Sequence, residues 1–291
     1  MLGANFEALP DDHHAEPKYL VELSRLFQRT GNHAERKRLL TRTLELERQR
    51  GGDDLEVARI LRHLSSVNRS FNVYGEGIRQ AEEASKVLER LGGTKKQMKC
   101  LCSLARPYMG DKQLDAAEKT ATRALSFSKG KGQEYIVCDL HWVLGDIYRS
   151  KGDKKKSIQH YEMALEIASS HNWLDILFCA NYALVNLFKN EHEFGDANVH
   201  IERAKSCVPN DTHKLGRAMR MRADIWRRKL RLEYARLEAL RALEIFEELG
   251  AAKDAEDCQR LLQKVKRAIE VKNRSTGLRG ELLETIPRHF R

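Results

Sequence analysis

Three places in the sequence carry side chains whose types and spacing could do chemistry. His13-His14 sets two imidazoles side by side, Cys100-x-Cys102 two thiols, and Asp139-Leu140-His141 a carboxylate beside a histidine. Imidazole and thiolate ligands at the right spacing hold zinc, and a histidine steadied by an aspartate can activate a nucleophile. None of the three completes its set. Adjacent histidines in a polar N-terminal stretch are solvated. Thiols two residues apart on a helix point to different faces. His141 has neither a nucleophile nor a glycine-rich phosphate loop to work with. Cys100, Cys102, Cys138, Cys179, Cys207 and Cys258 form no CxxC pair and read as free thiols of a reducing compartment, acting as small core hydrophobes. The sequence therefore predicts no catalytic residue, no metal ligand and no cofactor. What remains is charge: 52 Lys and Arg against 42 Asp and Glu, a net +10 over 291 residues.

Charge must be placed by structural elements, and the composition says which kind. With 32% charged and 7% aromatic residues, the chain suits long solvent-edged helices rather than a deep enzyme core. The start, MLGANFEALPDDHHAEP, has no basic region followed by an apolar one, so it does not read as a signal peptide. The longest uncharged run, Ile176 to Phe188, is too short to cross a bilayer. A cytoplasmic protein is expected.

The stretch LGDIYRSKGDKKKSIQHYEMAL, Leu144 to Leu165, reads as two amphipathic helices joined at Gly152-Asp153. Numbered so that Gly145 is position 8, the hairpin recurs six times. Position 8 is Ser24, Ser65, Ala105, Gly145, Val185 and Ala223, at spacings of 41, 40, 40, 40 and 38. Position 20 is Arg36, Gly77, Ala117, Ser157, Ala197 and Ala235; position 27 is Thr43, Ala84, Ala124, Ala164, Ala204 and Ala242. Position 11 is mostly large: Phe27, Asn68, Tyr108, Tyr148, Phe188 and Trp226. Small side chains let helices approach closely while large ones fill the space between them. Turn chemistry (RGGDD, LGGT, KGKG, HNW, VPND, LGAA) closes each copy, unlike the seven-residue repeat of a coiled coil. Pro107, at position 10 of the third copy, removes a helical hydrogen bond and is expected to kink its helix.

This pattern resembles the tetratricopeptide repeat, most clearly in LGDIYRSKGDKKKSIQHYEMAL, LARPYMGDKQLDAAEKTATRAL and ADIWRRKLRLEYARLEALRAL. A period near 40 exceeds the usual 34 and is similar to the longer MalT-like and kinesin-light-chain-like variants. The resemblance implies an all-α, right-handed α-solenoid of about six helix-turn-helix repeats, near 18–50, 58–91, 98–130, 138–170, 178–211 and 216–250. A flexible segment (1–17) is expected before the array, a capping helix (251–271) after it, and a tail without regular structure (272–291). Stretches such as EPKYLVELSRLFQRTGN, GIRQAEEASKVLERLG and LGAAKDAEDCQRLLQKV also resemble the C-terminal repeat region of fungal STAND-type NTPases, in which an NB-ARC or NACHT motor precedes the repeats. The chain has no GxxxxGK[ST] motif of its own, so the resemblance is to the repeat array alone.

In that family the first helix of each repeat lines a concave groove with positions 2, 5, 9, 12 and 13. Carried over, these positions hold 14 basic and 3 acidic residues, a net +11 against +10 for the whole chain. The resemblance thus implies a partner-binding set of Arg25, Arg59, Arg62, Arg69, Arg106, Trp142, Arg149, Tyr182, Asn186, Lys189, Arg217, Arg220, Asp224, Arg227 and Arg228. A cleft lined by one sign of charge focuses its field on the opposite sign, so an acidic protein or peptide is the expected partner. The plainer alternative is that these arginines pair with nearby acids and serve solubility. The carboxylate clamp of chaperone-binding relatives is not reproduced, since Val21 and Arg25 stand at its first two places and Asn186 is alone. Nucleic acid is the rival partner, but aromatic residues for base stacking are scarce and no base-reading pair recurs. The expectation is a non-enzymatic interaction scaffold or sensor that binds no membrane.

Overall fold

A computed structural model of the chain describes residues 32–285 apart from 93, 129–131, 191 and 209–210, together with Leu20, Val21, Leu23, Ser24 and Phe27; for Thr94 and 275–285 it describes the backbone alone. The expected N-terminal segment and the first repeat's Arg25 lie outside the described residues. Every regular element among the described residues is a helix. In chain order they are α1 (His33–Gln49), α2 (Asp54–Ser70), α3 (Tyr74–Arg90), α4 (Thr94–Gly110), α5 (Leu114–Ser126), α6 (Glu134–Lys151), α7 (Lys154–Ser170), α8 (Leu174–Asn190), α9 (Phe194–Ser206), α10 (Thr212–Arg228), α11 (Leu232–Glu248) and α12 (Ala252–Thr285). The fold class is an all-α helical-repeat solenoid. The chain divides into two compact units, Met1–Asp153 and Lys154–Arg291, so that α1 to α6 belong to the first and α7 to α12 to the second.

The small-residue positions are where the helices meet. Ser24, Ser65, Ala105, Val185 and Ala223 at position 8 are all buried, as are Ala117, Ser157, Ala197 and Ala235 at position 20 and all six residues at position 27. Within the first unit the approach at Gly77 is close. A Cβ on Gly77 would lie 3.2 Å from the Ser65 carbonyl oxygen of the neighbouring helix. Leu40, Leu61, Leu64 and Val67 fill the space around it. In the second unit Phe178, Val185, Ile201 and Ile225 play the same part. Arg36 is the exception the sequence marked: it is buried at position 20, with its Nε unsatisfied.

One turn recurs inside the repeats at position 15. Asn72, Lys112, Gly152, His192 and Leu230 all have positive φ in the left-handed region, at 58°, 64°, 82°, 62° and 56°. At each, the next residue's N–H donates to the carbonyl of position 11 at 2.9 Å: Val73 to Asn68, Gln113 to Tyr108, Asp153 to Tyr148, Glu193 to Phe188 and Arg231 to Trp226. This is the six-to-one bond of a Schellman ending, and it closes the first helix the same way in all five repeats whose inner turn is described.

Three features differ from the sequence expectation. The first helices of repeats two to six begin one turn upstream, at Asp54, Thr94, Glu134, Leu174 and Thr212. In two of them an aspartate caps the added turn, Asp53 accepting from the Leu55 N–H and Asp211 from the Lys214 N–H, both at 2.9 Å. The last helix does not stop at 271 but continues to Thr285, correcting the expectation of an unstructured tail from Lys272. Gly277 and Gly280 weaken a helix without forbidding it, and the first residue that forbids it is Pro287. Third, α12 does more than solvate the end of the array: Cys258, Leu261 and Val265 are buried against α10 and α11. Helix α4 runs through Pro107 to Gly110.

Candidate partner-binding face

In the first unit the predicted residues stand on α2, α4 and α6. Arg59 and Arg62, one turn apart on α2, line a cleft of about 400 Å³ together with Lys96 and Lys99 at the start of α4. Glu56 is the acid there, and Arg59 donates to it at 2.6 Å. The His63 ring stands between two guanidinium groups, 3.2 Å from Arg62 and 3.5 Å from the buried Arg36. Burial and then Arg62 hold the Arg36 pKa below its ordinary value. The cleft floor is apolar, formed by Leu55, Ala58 and Leu88.

Further along the same helices the charges are spoken for. Arg106 donates to Asp139 and, at 3.3 Å, to the Cys102 sulfur, and its guanidinium lies 5.7 Å from the centre of the Trp142 ring. Burial works against the Arg106 cation, but Cys102 and Asp139 together hold its pKa above the ordinary value. Cys102 is buried and its thiol donates to Asp139 at 3.2 Å; burial, with Asp139, pushes its pKa up to about 12. Such a thiol is no nucleophile at neutral pH. Cys100 donates instead to the Ala81 carbonyl, on a different side of the helix. Arg69 has its pKa lowered by burial and by Arg106. Arg149 pairs with Asp146 at 3.1 Å on its own helix.

In the second unit α8 and α10 bring most of their predicted residues together. Asp224 accepts from Lys189 of α8 at 3.2 Å, from Arg227 at 2.7 Å and from Arg228 at 3.3 Å. Burial opposes its ionisation, yet Arg227 and Lys189 hold its carboxyl below the usual range. Arg217 lies 5.1 Å over the Tyr182 ring, which stacks on Phe178. Asn186 is not offered outward: its amide donates to the Tyr182 carbonyl at 3.2 Å. Tyr182, Lys189, Arg220 and Asp224 line one cleft of about 280 Å³. Its other wall belongs to α12.

That wall was missed in the sequence. Arg220 donates to Asp257 at 2.5 Å and to Asp254 at 3.4 Å, both on α12, and Arg260 donates to Asp257 at 2.5 Å. Asp257, Arg260 and Lys264 fall at three- and four-residue steps, the spacing of one helix face, which was the available signal. The plainer alternative accounts for several cations, since Arg59, Arg149, Arg227 and Arg228 all pair with acids of their own helices. Both clefts nevertheless retain more basic than acidic residues. Arg59, Arg62, Lys96 and Lys99 face Glu56 in one. Lys189, Arg220, Arg260 and Lys264 face Asp224 and Asp257 in the other. Among the described residues no cluster of three metal-ligating side chains occurs, and no helix is long and apolar enough to cross a membrane.

A tetratricopeptide repeat profile matches residues 139–171, most of the fourth hairpin's first helix and the whole of its second. No curated protein sequence matches the chain. Among solved structures, a Rap protein complexed with competence and sporulation factor is similar at 16% identity and a TM-score of 0.66, over 88% of this chain and 76% of that one. The quorum sensor NprR from B. thuringiensis, in its apo form, is similar at 13% identity and a TM-score of 0.59, over 86% and 76%. A signal transduction ATPase with numerous domains (STAND) protein with a tetratricopeptide repeat sensor, PH0952 from Pyrococcus horikoshii, is similar at 13% identity and a TM-score of 0.61, over 89% of this chain and 43% of that one. At these identities the likeness is one of fold.

Proposed function

We propose that the chain is a non-catalytic interaction module that binds an acidic protein or peptide segment along the first-helix faces of its repeats. The observation that supports this reading most is the pair of clefts on those faces, one in each unit, both with basic residues in excess. Guanidinium groups match carboxylates in two-pronged geometry, and an extended acidic segment can engage several of them at once. Two of the similar structures point the same way: one is a complex with competence and sporulation factor, and the other is named a quorum sensor. The likeness to a STAND protein's repeat sensor, together with the sequence resemblance to fungal STAND repeat regions, supports a sensor or scaffold role in a system of that kind.

A titration with an acidic peptide tests this. Replacing Arg59 and Lys99 by Gln, or Arg227 and Arg228 by Gln, removes charge from one cleft or its border without placing like charges together. Each pair is expected to weaken binding roughly tenfold, the weight of one charge-assisted contact, and raising the salt should weaken it further. Lys119→Gln with Arg236→Gln, on exposed second-helix positions, is expected to leave it unchanged. Equal affinities for all three pairs would remove the basis for the proposal.

A further inference from the structure

The cleft of the second unit has a wall that the repeats do not supply. Helices α8 and α10 are repeat helices, but Asp257, Arg260, Leu261 and Lys264 come from α12, which lies beyond the last repeat. A helix that only sealed the end of the core would need its apolar row, Ala255, Cys258, Leu261 and Val265, and nothing else. Here the neighbouring row on the same helix is committed to the cleft. Arg220 reaches across from α10 to Asp257 and Asp254, so the wall is fixed by ion pairs as well as by packing.

The acids of this cleft are already used. Asp257 accepts from Arg220 through one oxygen and from Arg260 through the other, each at 2.5 Å. The Arg260 hydrogen bond, ahead of the one from Arg220, holds the Asp257 carboxyl below its usual range. Asp224 is shared by Lys189, Arg227 and Arg228. Asp254 also accepts from Arg220 at 3.4 Å and Glu256 from Arg260 at 3.0 Å, so four carboxylates serve five cations and the charge of this cluster stays positive. Lys264 is exposed and joins no ion pair among the described residues. Between the charges stand Tyr182, Met221 and Leu261, of which Tyr182 is the most exposed.

We infer that α12 forms one wall of a recognition cleft for an acidic residue followed closely by an apolar one. The carboxylate of a bound peptide would sit against Lys264, Lys189 and the Arg260 guanidinium, and its apolar neighbour against Tyr182, Met221 and Leu261. This rests on the reading of the protein as a peptide-binding module and deepens it by naming the recognition element. A phosphodiester backbone would satisfy the cations but make no use of Tyr182, Met221 and Leu261, so peptide is the favoured class.

Fluorescence anisotropy on the full chain tests the assignment. The probes are a fluorescein-labelled peptide of repeated Glu-Leu-Ser units, its Gln-Leu-Ser and Glu-Ser-Ser counterparts, and a labelled single-stranded oligothymidine. The Glu-Leu-Ser peptide should bind more tightly than the other three. Lys264→Glu, which breaks no ion pair, should weaken it severalfold, and Arg260→Glu with Lys264→Glu roughly tenfold or more. Lys155→Glu with Lys266→Glu makes the same charge change at exposed positions outside the cleft and should do nothing. Melting temperatures within a few degrees of wild type exclude a folding defect, and Lys264→Glu alone decides should the double variant be unstable. Absence of peptide binding by the wild-type chain, or tighter binding of oligothymidine, overturns the proposal. If both α12 variants bind like wild type while Arg227→Gln with Arg228→Gln does not, the role of α12 is refuted and the broader reading survives. If neither set matters, both are refuted.

Discussion

Leu230 is a bulky apolar residue with 70% of its surface exposed and a backbone φ of 56°. Outside glycine, the left-handed conformation brings Cβ against the following carbonyl and costs roughly 1–2 kcal/mol. Two backbone hydrogen bonds hold it there, its own N–H to the Arg227 carbonyl and the next N–H to that of Trp226. Leu230→Gly relieves the strain and loses some of the gain to a freer unfolded chain, so a net stabilisation of roughly 0.5–1 kcal/mol is expected. The mirror experiment is Gly152→Ala, at φ 82° with open space around the missing Cβ, which should cost a similar amount through the backbone alone. Chemical denaturation of the two variants measures both. A Leu230→Gly variant less stable than wild type would mean that its exposed side chain contributes more than the strain removes.

Ala164 illustrates how an element is tied to its neighbours. It is fully buried at position 27 of α7, while Lys155, on the first turn of the same helix, is exposed. A glutamate at 164 must be both accommodated and desolvated, which costs about 3 kcal/mol or more; at 155 the change should stay within about 0.5 kcal/mol. Thermal melts of Ala164→Glu and Lys155→Glu should therefore separate by many degrees, and coincident melts would show the repeat phase to be wrong. That phase was legible in the sequence because close helix packing leaves little choice of side chain at positions 8, 20 and 27. The inner turns were far less legible. Lys112, His192 and Leu230 are not turn residues by type, and the bonds that hold them are made by backbone groups, which carry no letter in the sequence. The upstream helix starts were hidden for a related reason: Asp53 and Asp211 look like loop residues until their side chains are seen to accept from N–H groups ahead of them. The count of charges along the first helices left out what those charges meet. Counting along first helices cannot reveal that Arg220 meets Asp254 and Asp257 of a helix outside the repeats.

At the scale of the whole molecule, each helix pair draws its stability from its neighbours, so local opening should follow the weakest links. Pro107 is one of them. It sits inside α4, has no N–H to give the Ser103 carbonyl, and leaves that helix one bond short. Amide exchange along Cys100–Gly110 should therefore be faster than along Ala218–Arg228 of α10, the equivalent stretch of the sixth repeat, which contains no proline. Equal protection of the two stretches would show that packing on either side of α4 makes up for the missing bond.

The recurring inner turn has a further consequence for where the chain can change length. Positions 8 and 27 are separated by the same distance in all six copies, and positions 8 and 15 likewise, yet successive copies begin 41, 40, 40, 40 and 38 residues apart. All of that variation falls between position 27 of one copy and position 8 of the next, where the second helix ends and the link to the next repeat lies. The shortest links, from Arg90 to Thr94 and from Ser170 to Leu174, follow 17-residue second helices, and the longest, from Ser126 to Glu134, follows a 13-residue one. A residue added inside a helix would rotate everything after it by about 100° and turn buried alanines toward water. One added inside the inner turn would break the bond from position 16 to position 11. Insertions and deletions are thus admissible at the outer links and nowhere else in a repeat, which makes those links the natural places to graft a tag or a reporter without disturbing the binding face.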